Sequence, residues 1–188
     1  KSAENIAVIG GGWIGLEIAA TARQQGKSVE IFEYGSRLCA RSVSPEVSDF
    51  LKEMHENEGT VIHLNATKLH LIEDSEQKIE VFDADIKLKK FDCVVVGAGA
   101  EIAKELASQA DLVVKDGIAV NEFGQTSDPH IYAAGDCAIH PTLGFCIQSW
   151  ANAQNQAISA AKSMLGEMTA YQDIPWLWSD QYQHNIQI

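Results

Sequence analysis

The sequence predicts an α/β fold, and three observations carry that prediction. Between residues 5 and 33 a strand, a glycine-rich turn, a helix and a second strand follow one another. Cys93–Val96 is an unbroken C-V-V-V run, the pattern of a parallel strand buried on both faces. Residues 60–90 break into short alternating segments separated by polar turns, the pattern of antiparallel strands. With 188 residues, 46% hydrophobic, the chain is long enough for one good core, or for one domain with parts of others. Its 14 Lys+Arg against 26 Asp+Glu give a net charge of −12, which argues against nucleic acid and anionic membranes as partners. No apolar run approaches the roughly 20 residues that span a bilayer, and no basic-then-apolar leader is present, so the expected location is cytoplasmic. The chain opens on Lys1 rather than Met, close to its first patterned segment, and reads as an excised piece.

Taken in order, Asn5–Ile9 (N-I-A-V-I) is the first strand and runs into Gly10-Gly11-Gly12. A helix is expected over 13–25, with Gly15, Ala19 and Ala22 forming a small-residue stripe that lets it press on a sheet. The second strand is 28–33, so strand–helix–strand implies a right-handed parallel crossover. Ser44-Pro45 starts the next helix as N-cap and first helical residue. Its expected apolar face is Val47, Phe50, Leu51 and Met54, and Gly59 stops it. Four segments, T-V-I-H-L, T-K-L-H-L-I-E, K-I-E-V-F and D-I-K-L-K, are expected to form an antiparallel meander before the C-V-V-V strand. That strand ends at Gly97-Ala98-Gly99. Beyond it come a short helix over 102–108 and small strands near 118–120 and 131–133. A long helix over 149–165 ends at Gly166, with Trp150, Ala153, Ala157, Ile158, Ala161 and Met164 expected on its buried face.

The cysteines, Cys39, Cys93, Cys137 and Cys146, form no Cys-x-x-Cys pair and no dense framework, and read as reduced thiols. The six histidines are scattered. His140 stands three residues from Cys137, but without a second pair no metal site is expected.

The motif with most chemical content is Gly10-x-Gly12-x-x-Gly15, closing a strand and opening a helix. The first glycine permits a tight turn, the second lets a pyrophosphate approach the backbone, and the third packs helix on strand. The helix N-terminus then offers oriented N–H groups to phosphates. Trp13 and Ile14 in the turn, with Gly97 and Gly99 after the C-V-V-V strand, belong to the same expected site. Glu33 ends the second strand, where a carboxylate accepts from both ribose hydroxyls of an adenosine, while a 2′-phosphate would meet like charge. Arg37 lies four residues on, not at the strand end, so NADH is expected over NADPH. Glu17, read as a first-turn acid, has two readings: it reaches toward a nicotinamide or flavin edge, or it complements the helix dipole.

The strings G-G-G-W-I-G-L-E-I-A-A-T-A, T-S-D-P-H-I-Y-A-A-G-D-C-A, S-W-A-N-A-Q-N-Q-A and P-W-L-W-S-D-Q-Y occur in this order. Together they resemble the FAD-dependent pyridine-nucleotide oxidoreductases, within them the ferredoxin reductases (putidaredoxin reductase-like) of aromatic-ring dioxygenase and P450 systems. The resemblance implies a Rossmann-like three-layer NAD(P)-binding domain with an antiparallel β-meander over residues 1–98. It further implies the partial second half of an FAD-binding domain over 99–171 and the start of a ferredoxin-facing domain over 172–188. It gives Gly135 and Asp136 to the flavin, with Asp136 accepting from a ribityl hydroxyl, and sets the Trp150 backbone N–H near the flavin's pyrimidine edge. Glu17 matches the family's acid near the nicotinamide. Trp176 and Trp178 match aromatic residues near the flavin and the docking face for the iron–sulfur partner, against ordinary aromatic packing as the other reading. The implied activity is hydride transfer from NADH to FAD, then single electrons to a [2Fe–2S] ferredoxin, since no cysteine pair is present to carry them.

Departures accompany the resemblance. The family's G-x-G-x-x-P-N is replaced by Gly97-Ala98-Gly99-Ala100-Glu101-Ile102-Ala103, and Cys146 and Gln148 stand where an Arg-x-Glu is common. The family's first G-x-G-x-x-G unit, which binds the ADP half of FAD, is absent from this sequence. The expectation is therefore a chain that binds NADH but holds FAD weakly, and that self-associates through apolar surface left uncovered. A catalytically silent nucleotide-binding module is the competing reading; the tail string speaks against an NADH oxidase or peroxidase branch.

Overall fold

The computed structural model describes residues 3–84 and 86–188. A four-stranded parallel sheet has the order β3-β2-β1-β7, from β1 (Asn5–Ile9), β2 (Ser28–Phe32), β3 (Val61–His63) and β7 (Cys93–Val96). Helix α1 (Trp13–Gln24) joins β1 to β2, and α2 (Pro45–Asn57) joins β2 to β3. The chain then makes a three-stranded antiparallel sheet from β4 (Leu69–Glu73), β5 (Ile79–Asp83) and β6 (Ile86–Phe91) before returning to β7 beside β1. Of the four segments expected in the meander, the first instead pairs in parallel with β2, because the short turn after α2 delivers it to that open edge. Asp85, the first residue of the fourth segment, lies outside the described residues.

Strand alternation sorts the core into two layers. Val8, Val29 and Ile31 point to the helices and pack with Leu16, Ala19, Leu51 and Met54. Ala7 and Phe32 point the other way and pack on Val81 and Phe91 of the meander. Glu30 shares that second face and is buried, which a carboxylate tolerates only when paired. Lys89 Nζ lies 2.6 Å from Glu30 Oε1 and His63 Nε2 lies 2.8 Å from Oε2. Burial alone would raise its pKa; the bonds from Lys89 and His63 prevail and hold it below the usual carboxylate range.

Two expected faces in residues 45–96 differ from those observed. The C-V-V-V strand is only half-buried, with Val96 64% exposed, because β7 is an edge strand. On α2 the buried residues are Ser48, Leu51, Met54 and His55, while Phe50 is exposed. The face is rotated because Ser48 Oγ donates to the Leu38 carbonyl (2.6 Å) and His55 is held by two hydrogen bonds.

Residues Ala100–Trp178 with Gln187–Ile188 form a second compact unit, and Ser179–Ile186 cluster with residues 1–99. The second unit contains α3 (Glu105–Gln109), a 3-10 turn at Gly135–Cys137 and α4 (Trp150–Met164). α3 begins three residues later than expected. The small strands expected near 118–120 and 131–133 are isolated bridges, Val114 to Ile118, Ile118 to Ala138 and Gln125 to Tyr132. The buried side of α4 is Ala151, Asn152, Gln156, Ser159, Ala160 and Ser163, not the apolar stripe, of which Trp150, Ile158 and Met164 are exposed. Two of these polar side chains serve backbone groups: Gln156 Oε1 accepts from the Gly135 N–H (2.8 Å) and Ser159 Oγ donates to the Thr169 carbonyl (2.5 Å), whereas Ser163 Oγ is buried without a hydrogen-bond partner among the described residues. The chain ends in a hairpin of β8 (Trp178–Gln181) and β9 (His184–Gln187).

Candidate functional site

The chain leaves β1 for β2 on one side and comes back to β7 on the other, so the carboxyl end of β1 is a topological switch point, where open α/β sheets bind ligands. Three glycine backbones meet there. Gly10 has φ +106°, and a Cβ on it would strike the Gly97 carbonyl. A Cβ on Gly15 would overlap the Gly10 carbonyl oxygen and approach Val8 Cγ1 at 3.3 Å, so α1 can enter this close only with glycine at that position. Around Gly12 a Cβ would meet nothing within 4 Å, leaving a cradle open in front of the helix N-terminus. Gly12 is the N-cap of α1, no side chain caps that end, and its first turn contains no acid. The unpaired N–H groups are therefore presented to an anion. Trp13 and Ile14 occupy the first two helical positions, with Ile14 67% exposed at the cradle's rim.

Glu33 follows β2 and is fixed by two backbone donors: Gly11 N–H to Oε2 at 2.5 Å and Gly35 N–H to Oε1 at 2.6 Å. A Cβ on Gly11 would lie 3.1 Å from Glu33 Oε2, which accounts for the middle glycine, a residue the motif alone does not single out. Arg37 is engaged elsewhere, donating to the Val43 and Ala40 carbonyls and to Ser48 Oγ at 2.7 to 2.9 Å. Arg41 was not expected at the site, yet its Nη2 lies 3.7 Å from the Cβ position of Gly99, a glycine with φ +115°. Cys39 is buried beside this turn, its N–H donating to the Gly11 carbonyl (2.9 Å). Burial, with the Glu33 charge, pushes its thiol pKa up to about 12, so it is no nucleophile.

Glu17 is the fifth residue of α1 and lies beyond its first turn, which removes the dipole-complementing reading. Its half-buried carboxylate accepts from Ser179 Oγ at 2.5 Å. Ser179, together with Gln181 and His55 behind it, was missed because hydrophobic periodicity carries no signal for a hydrogen bond between residues 162 apart.

In the second unit Gly135 has φ +78° and lies against Ala153 of α4, whose Cα and Cβ would be 3.5 and 3.2 Å from an added Cβ. Asp136 beside it is exposed, an acceptor suited to a ribityl hydroxyl. Trp150 opens α4, so its N–H is one of the unpaired donors of that helix end, where Ser149 Oγ accepts from the Asn152 N–H (3.2 Å). This donor and acceptor set fits the flavin that the resemblance assigns to it. Trp178 packs tilted against Trp176, ring centroids 5.4 Å apart at 35°, and meets Trp150 edge-on at 6.0 Å, all three exposed. Among the described residues no group of His, Cys, Asp and Glu could hold a metal, and all four cysteines are free.

A parallel sheet with its glycine turn at the switch point and an antiparallel meander on one face defines a Rossmann-like α/β domain. The chain belongs to the pyridine nucleotide-disulphide oxidoreductase family, which matches residues 1–157. It is 39% identical over 187 residues to the ferredoxin–NAD(+) reductase component of the anthranilate 1,2-dioxygenase system of Burkholderia cepacia, covering 97% of this chain and 46% of that protein. Among solved structures it is similar to the ferredoxin reductase for the CYP199A2 system of Rhodopseudomonas palustris, with TM-score 0.88, 34% identity, and 98% of this chain and 47% of that one covered. Putidaredoxin reductase, in its covalent complex with putidaredoxin, gives TM-score 0.87 and 34% identity over 98% of this chain and 46% of the other. The chain thus spans about half the length of these relatives. No helix among the described residues is long and apolar enough to cross a membrane.

Proposed function

We propose that the chain carries the NADH-binding domain and part of the flavin-binding domain of an NADH:ferredoxin oxidoreductase, serving a ring-hydroxylating dioxygenase or P450 system. The observation that carries this reading is the Glu33 carboxylate, fixed by Gly11 and Gly35 beside the open cradle of Gly12. There it accepts from the adenosine ribose, while the N–H groups of α1 and the Arg41 guanidinium face the pyrophosphate. Glu17 stands toward the nicotinamide. Gly135, Asp136 and the Trp150 N–H hold the flavin's ribityl chain and pyrimidine edge. FAD, when bound, supplies the chemistry that takes electrons in pairs from NADH and releases them singly. A [2Fe–2S] ferredoxin is the acceptor, with the exposed Trp150, Trp176 and Trp178 cluster as the aromatic part of its docking face. Net charge of −12 opposes an acidic ferredoxin at long range, so docking depends on local contacts.

The chain binds NADH and, with the Gly135–Asp136 turn and the Trp150 N–H as its flavin contacts, holds FAD weakly. Fluorescence titration of the full chain with NADH and NADPH, together with the flavin absorbance of the purified sample, tests this. The expected result is NADH binding tighter than NADPH, substoichiometric flavin, and ferricyanide reduction that rises when FAD is added. Absence of NADH binding, or equal affinity for NADPH, overturns the nucleotide assignment. A stoichiometric flavin band overturns the weak hold on FAD.

A further inference from the structure

A buried chain of hydrogen bonds ends at Glu17. Tyr182 Oη lies 3.0 Å from His55 Nδ1 and 3.4 Å from Thr60 Oγ1. His55 Nε2 lies 2.9 Å from Gln181 Oε1. Gln181 Nε2 donates to Ser179 Oγ at 2.9 Å, and Ser179 Oγ donates to Glu17 Oε1 at 2.5 Å. His55, Ser179 and Gln181 are fully buried, and all the members belong to the same compact unit.

The donor inventory fixes the direction of every bond. An ionised carboxylate only accepts, so the one proton of Ser179 goes to Glu17. Ser179 Oγ must then accept from Gln181, which sets the amide with its nitrogen toward the serine and its oxygen toward His55. A flipped amide would need that single hydroxyl proton twice. The amide oxygen accepts from His55 Nε2–H, so Nδ1 accepts from the Tyr182 hydroxyl. Burial keeps the imidazole pKa below its ordinary value, which matches this neutral tautomer. Among the described residues the hydrogen bond to the half-buried Glu17 carboxylate comes from Ser179 Oγ, through Oε1, and none engages Oε2.

We propose that Ser179, oriented by Gln181 and His55, is a positioning residue for the Glu17 carboxylate, presenting Oε2 as acceptor to the carboxamide N–H2 of the nicotinamide of bound NAD(H). Ser179 and Gln181 of β8 thereby become part of the nucleotide site. This inference rests on the NADH reading above.

The test uses the full chain with ¹⁵N-labelled histidine and NAD⁺ as the probe. In the wild type, saturating NAD⁺ should move the His55 ring nitrogen resonances while keeping the Nε2–H tautomer. Ser179→Ala should abolish that movement and raise the NADH Kd about five- to tenfold. Ser179→Thr, which keeps the hydroxyl, should restore both in part, and Glu17→Gln should abolish the movement with the fold intact. A merely structural serine would leave His55 indifferent to nucleotide in the wild type. The inference is overturned if NAD⁺ binds and His55 does not move, or if Ser179→Ala binds and responds as the wild type does. Should Ser179→Ala not fold, an unchanged response in Glu17→Gln overturns it equally. If the wild type binds no NAD⁺, the nucleotide reading itself fails and takes this role with it.

Discussion

Replacing Glu33 by Gln should collapse the preference for NADH over NADPH. The carboxylate is held by N–H groups at 2.5 and 2.6 Å, so it cannot swing away from a 2′-phosphate without breaking both bonds. A unit negative charge about 4 Å from it costs about 4 kcal/mol at an effective dielectric near 20. Glu33 is partly solvated, and salt screens the pair, so about half of that, ~2 kcal/mol, is the working figure. That corresponds to discrimination of about 30-fold. Arg37 does not offset it, since its guanidinium already serves two carbonyls and Ser48. Glutamine keeps one acceptor and removes the charge. NADPH should then gain most of the 30-fold, while NADH loses about fivefold with the weakened ribose hydrogen bonds. Titration of nucleotide fluorescence at low and high ionic strength measures both. An NADPH affinity unchanged by Glu33→Gln, or a wild-type preference indifferent to salt, would refute the reasoning.

Four further outcomes are expected. Gly15→Val should force α1 off the Gly10 carbonyl, costing about 1–3 kcal/mol and lowering the melting temperature by roughly 3–10 °C; an unchanged melt with intact NADH binding would show that the close approach does not matter. His55 is neutral when folded, its pKa lowered by burial and only partly restored by the Gln181 bond and the Glu58 charge. The unfolded chain takes up that proton first, so urea-measured stability should fall as pH drops below about 6.5, by about 1.4 kcal/mol per unit of depression, and His55→Gln should flatten the slope. Arg41→Ala should weaken NADH several-fold and reduce the salt dependence of its binding, read by the same titration; an unaltered salt slope removes Arg41 from the phosphates. Concentration-dependent self-association through the exposed side of α4 should appear in sedimentation velocity and be reduced by Ile158→Lys with Met164→Lys, whereas a double variant as associated as the wild type would exclude that face.

The strand–glycine turn–helix–strand fold of the first unit was legible because its signals are local. Five residues of β1, three glycines and Glu33 lie within one strand–helix–strand unit; Gly10 and Gly15 each answer to a nearby backbone carbonyl, and Gly12 leaves open space before the helix. What escaped is long-range. The first meander segment became β3 because the open edge of β2 was there to receive it, a fact of assembly with no mark in T-V-I-H-L itself. Ser179 reaches Glu17 across 162 residues, and Arg41 reaches Gly99 from a loop whose local sequence shows only a charge.

α4 failed for a different reason, and it bears on how its unit is held together. Periodicity assumes that a helix buries its apolar stripe, which holds where the neighbours are regular elements that satisfy their own backbones. Here the neighbours are turns and single bridges, with N–H and C=O groups that no ladder pairs. Each such group, once buried, costs about 1–3 kcal/mol if left unsatisfied. Gln156 answers the Gly135 N–H, Ser159 the Thr169 carbonyl, and Asn152 both the Ile147 carbonyl and the Tyr171 hydroxyl. Three of those four bonds satisfy backbone groups, which Ile158 and Met164 turned inward could not do. The stripe left outside runs from Trp150, so one helix both secures the Gly135–Asp136 turn with its polar side and presents an apolar side to whatever covers it.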